Sequence, residues 1–189
     1  MSETISPALA LEAAAVAPRI DRPIVLVGLM GVGKSTVGRR LARLLSRDFV
    51  DVDEEIEHAA DRSIPEIFAQ YGEAYFRDGE RRVIKRLIGE DHGVIATGGG
   101  AFADDETRAL ILERGIAIWL DCDIETLVER TARRDNRPLL KQGDPHTILR
   151  DLKELRSSAY AQAPLHIATD DTPHEATVAM ILKELKAWL

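Results

Sequence analysis

The sequence predicts an α/β fold in which helices flank a parallel β-sheet. Two observations carry that expectation. From Pro23 onward, short β-branched apolar runs alternate with segments of helical period, the order in which strands and crossover helices build such a sheet. A glycine-rich loop with a lysine and a serine separates the first run from the first helical segment, at the sheet edge where open α/β folds bind their ligands. The chain has 189 residues, a single domain's length and enough to bury a core.

Residues 1–22 precede the pattern and read as an Ala-rich extension, disordered or weakly helical, because Pro7 and Pro18 break it and Glu12 interrupts its apolar stretch. Glu3, Glu12 and Asp21 argue against a transit peptide and the missing positive start against a secretory signal, so a cytoplasmic chain is expected. One domain is expected over 23–189. Its first strand is Ile24–Val27, followed by a helix with Val37, Leu41, Leu44 and Leu45 on one face. After a second strand over 49–52, Ser63 and Glu66 form a capping box with Pro65 in the first turn, where a missing N–H does no harm. Strands over 94–97, 116–120 and 166–169 complete the set, all short, as buried strands are.

Between the last two strands, Asp123 caps a helix whose apolar face is Ile124, Leu127, Val128 and Thr131. Residues 133–143 have no apolar period, and Pro138 ends any helix entering them, so they form the expected lid. The next helix is expected to bury Ile148, Leu152, Leu155 and Ala159, with Arg156 at the rim of the core. Thr172 with Glu175 makes a second capping box with Pro173 in the first turn, and Val178, Ile181, Leu182 and Leu185 line the final helix.

Composition narrows the function. The formal charge of −7, from 25 Lys and Arg against 32 Asp and Glu, argues against a general nucleic-acid binder, whose footprint is basic. No apolar run reaches the ~20 residues of a membrane helix. Cys122, the sole cysteine, allows no internal disulfide, and no Cys/His cluster has zinc spacing. A protein acting on small molecules, with neither nucleic acid nor membrane as partner, is the expectation; a monomer is expected, with the last helix at Trp188-Leu189 ending either in solvent or in a partner.

The sharpest motif is GLMGVGKS at residues 28–35, a full match to the phosphate-binding loop pattern between strand and helix. Its glycines let backbone N–H groups turn onto phosphate oxygens, Lys34 neutralises the outer phosphates, and Ser35 offers a hydroxyl to Mg²⁺. Asp51-Val52-Asp53 follows at the end of the second strand. There Asp51 can hold Mg²⁺ through water and Asp53 can accept hydrogen bonds from a hydroxylated substrate. The structural alternative is an acidic helix start, since Glu54, Glu55 and Glu57 come next. Asp121 is a rival metal carboxylate at the same edge.

Gly98, Gly99 and Gly100 close the third strand, where either a ligand touches backbone or the chain merely turns. Arg77 has Glu80 three residues on to orient it, and Arg130, Arg134 and Arg137 share one helical face with Arg133 beside it. Any one of these is explicable as a solvated cation. As a set with Arg156, they read as a lid over phosphates and a clamp for a carboxylate, both suited to the planar guanidinium.

In the order GLMGVGKST, DVD, YFR with Glu80, TGGG and RDNRPLL, these residues resemble the shikimate kinase family from about Ile24 to the C-terminus. The resemblance implies a P-loop NTPase fold of the nucleoside-monophosphate-kinase type: five parallel strands, helices on both faces, a mobile lid and a substrate-binding segment. It also implies phosphorylation of the 3-hydroxyl of shikimate by ATP with one Mg²⁺ per nucleotide, a step of aromatic amino-acid biosynthesis. By that resemblance Asp53, Arg77, Gly99, Gly100 and Arg156 bind shikimate, the arginines on its carboxylate and Asp53 on ring hydroxyls. Gly31, Val32, Gly33, Lys34, Ser35 and Thr36 hold ATP, with Arg130 and the loop around Thr169–Pro173 beside adenine. Lys34 and Arg137 hold the transferring phosphate and, with Asp53, make up the catalytic set. Ser35 and Asp51 serve the metal.

Rival expectations are a gluconate-type kinase and a nucleotide-dependent switch. DVD, TGGG and the paired arginines point away from the first, and the missing Asn-Lys-x-Asp motif away from a guanine-reading switch. A nucleoside monophosphate kinase typically has proline where Met30 stands.

Overall fold

The protein is described by a computed structural model that covers residues 6–90, 93–132, 140, 143–169 and 173–189. Along the chain run α1 (Pro7–Val16), β1 (Ile24–Val27), α2 (Lys34–Leu44), β2 (Phe49–Asp51), α3 (Val52–Ala60), α4 (Ile64–Gly89) and β3 (Val94–Ala96). Then follow α5 (Asp105–Arg114), β4 (Ile116–Asp121), α6 (Ile124–Ala132), α7 (Pro145–Tyr160), β5 (Leu165–Ala168) and α8 (His174–Trp188). The helix α4 is interrupted at Gly72, whose φ of 80° and ψ of 173° kink it.

The five strands pair in parallel in the order β2-β3-β1-β4-β5. Central β1 pairs Val25 with Ile95 on one side and with Ala117 on the other. From β1 the chain first moves outward to β2 and later crosses to β4 on the opposite side, so β1 marks the point where direction reverses. Right-handed crossovers then place α2 on one face and α5 on the other. The packing agrees, with α2 against α8 and α4 against α5. Ligands of such sheets bind beyond the carboxyl ends of the strands at that reversal.

The strands are buried as a central parallel sheet requires: all four residues of β1 have no exposed surface. The expected strands occur, with ends shifted by a residue. Val52 leaves β2 to start α3, because the Asp51 side chain caps that helix by accepting from the Asp53 N–H. At the sheet edge, β5 begins at Leu165, which pairs with Ile118 and is buried while His166 is exposed. The Ser63 and Glu66 capping box is present in both directions. Asp123 accepts from the Thr126 N–H at 2.7 Å, as a cap of α6 does. Pro173 stands at the N-cap of α8, one position before the first turn. Thr172 and the expected lid, except residues 140 and 143, lie outside the described residues.

Two expectations are corrected. Residues 7–16 form a packed helix, whereas composition predicts a disordered or weakly helical extension. Leu9, Ala13 and Val16 fall at spacings of four and three on one face and are buried with Ile20, α1 lies on α8, and Arg19 donates to the Lys186 carbonyl at 3.2 Å. In α7 the buried residues are Leu149, Arg156 and Tyr160, while Leu155 is 76% exposed. The helix is rotated from the purely apolar expectation because Arg156 and Tyr160 find polar partners inside.

Candidate active site

At the end of β1 the chain turns through the glycine loop into α2. Gly33 caps that helix with φ of 99°, a left-handed conformation that only glycine adopts freely. Lys34 follows as the first helical residue and is 8% exposed. Its ammonium donates to the carbonyls of Gly28 at 2.8 Å and Leu29 at 2.9 Å, so the loop's own backbone aims the charge along the loop. The next side chain, Ser35, donates from Oγ to Asp51 Oδ2 at 2.5 Å. Asp51 meanwhile caps α3 through Oδ1, which accepts from the Asp53 N–H at 3.0 Å. Asp51 is thus the helix start of the structural alternative and, through its other oxygen, a partner of the loop serine.

The Ser35 hydroxyl and the Asp51 carboxylate are hard oxygen donors side by side at the phosphate loop. That donor set fits Mg²⁺, which keeps most of its waters and takes the rest of its ligands from phosphate. Among the described residues no group of three or more His, Cys, Asp or Glu offers an all-protein metal cage. The rival Asp121 is taken up elsewhere: Lys153 Nζ lies 2.8 Å from its Oδ1 and His166 Nε2 3.5 Å from its Oδ2.

The three glycines after β3 form the junction of the site. A methyl group on Gly98 would lie 2.4 Å from Glu80 Oε1 and 3.0 Å from Asp53 Oδ1, and one on Gly100 2.5 Å from the Arg77 guanidinium. One on Gly99 would lie 3.0 Å from the Met30 backbone nitrogen in the phosphate loop. The turn thus runs between the phosphate loop and the acidic and cationic side chains, too close for any side chain of its own. From α7, Arg156 Nη1 donates to the Gly99 carbonyl at 2.8 Å, and the Tyr160 hydroxyl donates to the same oxygen.

Arg77 is held from its own helix. It donates to Glu80 Oε2 at 2.7 Å and to Glu73 Oε1 at 3.2 Å, and its guanidinium lies 5.2 Å from the centroid of the Phe76 ring. Burial opposes its charge, but Glu80 and Glu73 outweigh that and raise its pKa above the usual arginine value. Glu80 is 2% exposed. Burial raises its pKa against the pull of Arg77 and Arg156, and its Oε1 has no hydrogen-bond partner among the described residues. Burial likewise lifts the Tyr160 phenol to about 12, so it stays a donor.

On the far side of the loop, Arg130 of α6 has Nη1 4.0 Å from Cys122 Sγ. Pro173 opens α8, and the ring of the next residue, His174, lies 3.4 Å from where a Gly33 side chain would start. The structure therefore brings the phosphate loop, Asp53, Arg77 and Arg156 to the turn at residues 98–100, pairs Ser35 with Asp51, and sets Arg130 beside Cys122 and His174, next to Pro173, beside Gly33. Arg137 lies outside the described residues. The sequence did not single out Tyr160, Lys153 or His174, although Tyr160 stands one turn after Arg156 and that i,i+4 spacing was available as a signal.

Comparison with known proteins agrees with the geometry. The shikimate kinase family model matches residues 30–186. A shikimate kinase of Novosphingobium aromaticivorans is 63% identical over 175 residues, covering 90% of this chain and 91% of that protein. One of Caulobacter vibrioides is 56% identical over 170 residues, covering 90% and 85%. Among solved structures, the chain is similar to a shikimate kinase from Acinetobacter baumannii in complex with shikimate, with 40% identity and a TM-score of 0.85 over 88% of this chain and 93% of that one. A gluconokinase from Sinorhizobium meliloti, 17% identical with a TM-score of 0.55 over 89% of this chain and 98% of that one, shares the fold alone.

Proposed function

The chain belongs to the shikimate kinase family, and on that premise we propose how its residues divide the work of phosphorylating the 3-hydroxyl of shikimate with ATP. The enzyme is a P-loop kinase of aromatic amino-acid biosynthesis, and its products are shikimate 3-phosphate and ADP. The observation that carries the assignment of roles is the turn at residues 98–100, on which the phosphate loop, Asp53, Arg77 and Arg156 converge.

Phosphoryl transfer passes through a loose, charge-spread transition state, so positioning and electrostatics do most of the catalysis. Backbone N–H groups of Gly31 to Thr36 and the start of α2 hold the phosphates of ATP, and Lys34 neutralises the outer ones. Ser35, and Asp51 through water, would hold Mg²⁺, and the ion would supply positive charge against the phosphates of the nucleotide. Arg130 and Pro173 flank adenine. Arg137 meets the transferring phosphate, whose charge its guanidinium offsets.

Arg77 and Arg156 clamp the carboxylate of shikimate, and the backbone of Gly99 and Gly100 lets the ring approach. Asp53 accepts from a ring hydroxyl and orients it. As the hydroxyl oxygen bonds to the γ-phosphorus, the bond from that phosphorus to the bridging oxygen of ADP breaks and the hydroxyl proton passes to Asp53. The groups at the turn, Asp53, Arg77 and Arg156, all come from one chain, which supports a working monomer.

A coupled ADP-release assay with Mg-ATP tests this reading, with shikimate, gluconate, a nucleoside monophosphate or no acceptor. Release that depends on shikimate is expected. Release with gluconate instead discards shikimate as the acceptor, and acceptor-independent hydrolysis discards the kinase reading for a nucleotide switch.

A further inference from the structure

We propose, resting on the reading above, that Lys153 is a positioning residue that couples the shikimate clamp to the adenine side of the site. Lys153 lies on α7, three residues before Arg156 and so one turn away on the same side of the helix. Its ammonium lies 2.8 Å from Asp121 Oδ1 and donates to the Cys122 carbonyl, also at 2.8 Å. Both acceptors stand at the carboxyl end of β4.

These two residues hold the nucleotide side. The Asp121 carbonyl accepts from the Thr169 N–H at 2.6 Å and from its hydroxyl at 2.9 Å. Thr169 is where the chain leaves β5 toward Pro173. Cys122 Sγ has Arg130 Nη1 at 4.0 Å. On the other side, the same helix α7 carries Arg156 and Tyr160, both bonded to Gly99. A helix is stiff over a turn, so drawing Arg156 onto a carboxylate also moves or fixes Lys153. Through it, Asp121 and Cys122 are set, and with them Thr169 and Arg130. Lysine suits the place because its compact ammonium can meet a carboxylate and a carbonyl at once.

Such a link is a coupling free energy and is reciprocal: shikimate tightens nucleotide binding by the factor by which nucleotide tightens shikimate binding. The test measures affinity for Mg²⁺ with a non-hydrolysable ATP analogue by titration calorimetry, with and without saturating shikimate. Wild-type protein is expected to bind the analogue more tightly with shikimate present. In Lys153→Met, which keeps the aliphatic stem, that enhancement is expected to shrink by roughly two- to thirtyfold, while Lys153→Arg retains most of it. Asp121→Asn weakens the same link from the other end and serves if the methionine variant does not fold. A wild-type enhancement of one overturns the proposal. So does an unchanged enhancement in Lys153→Met or Asp121→Asn, even if melting temperature falls, since that marks a merely structural lysine. Failure of wild-type protein to bind shikimate at all overturns instead the functional reading on which the proposal rests.

Discussion

Arg156 on α7 donates to the Gly99 carbonyl at 2.8 Å, so the guanidinium and the turn beyond β3 hold each other in place. With the Tyr160 hydroxyl on the same oxygen, that bond ties α7 to the turn. A guanidinium has five N–H donors in a fixed fork, and the carbonyl engages only part of it. Arg156→Lys replaces the fork with a point charge on a shorter reach, which cannot grip both oxygens of a carboxylate in one plane. The KM for shikimate should rise roughly 10- to 150-fold, from about 1.5–3 kcal/mol for a hydrogen bond to a charged group. The KM for ATP should move far less. Steady-state kinetics with each substrate varied decides it, and an unchanged shikimate KM removes Arg156 from the clamp.

Asp53 stands in the first turn of α3 with its Oδ1 beside the Gly98 backbone. Asp53→Asn keeps the shape and removes both the charge and the proton acceptor. Turnover should fall roughly 10²- to 10⁴-fold, the usual contribution of a positioned general base. Calorimetry should find nucleotide binding retained, because Lys34, Ser35 and Asp51 are untouched. Near-normal turnover in this variant takes Asp53 out of the mechanism.

Gly98→Ala tests whether the turn is a site or only a bend. The new methyl would lie 2.4 Å from Glu80 Oε1 and 3.0 Å from Asp53 Oδ1, and Glu80 is too buried to swing away. Shikimate affinity and turnover should both fall while nucleotide affinity holds. If this variant keeps wild-type kinetics for shikimate, Gly98 is a plain turn.

How much of this was legible in the sequence varies from one residue to the next. The phosphate loop was, because its geometry is local: glycines, lysine and serine act within a few residues of one another. The pairing of Ser35 with Asp51 was legible only as a shared sheet edge, since a contact across 16 residues depends on strand order. The buried face of α7 differs from the apolar period because periodicity assigns polar residues outward, whereas Arg156 and Tyr160 are turned inward by the Gly99 carbonyl. Residues 7–16 failed for the opposite reason. Alanine-rich sequence has little amphipathic contrast, so the docking surface on α8 decides the outcome. Lys153 gave no signal at all, being an ordinary solvated lysine until the end of β4 is placed beside it.

Glu80 links stability to pH in a way that can be read separately from catalysis. Burial raises its pKa above the ordinary 4.5, so the folded protein holds this proton more tightly than the unfolded chain does. Stability from that proton is complete below the ordinary value and is lost as pH rises from there through the raised folded pKa. Glutamine cannot lose a proton and lacks that penalty, although it also gives Arg77 a weaker partner than the carboxylate at 2.7 Å. Thermal melts of wild type and Glu80→Gln over pH 4 to 8 should therefore diverge in a set direction. Whatever their offset at pH 4, the difference should move in favour of the glutamine variant with rising pH and then level off. Other titrating groups are common to both proteins and cancel in that difference. Over the same range the variant should show a raised shikimate KM, because Arg77 is left with Glu73 as its charged partner on α4. A melting difference that stays constant with pH would mean that Glu80 remains an ordinary ionised partner of Arg77, its burial fully offset by the two arginines around it.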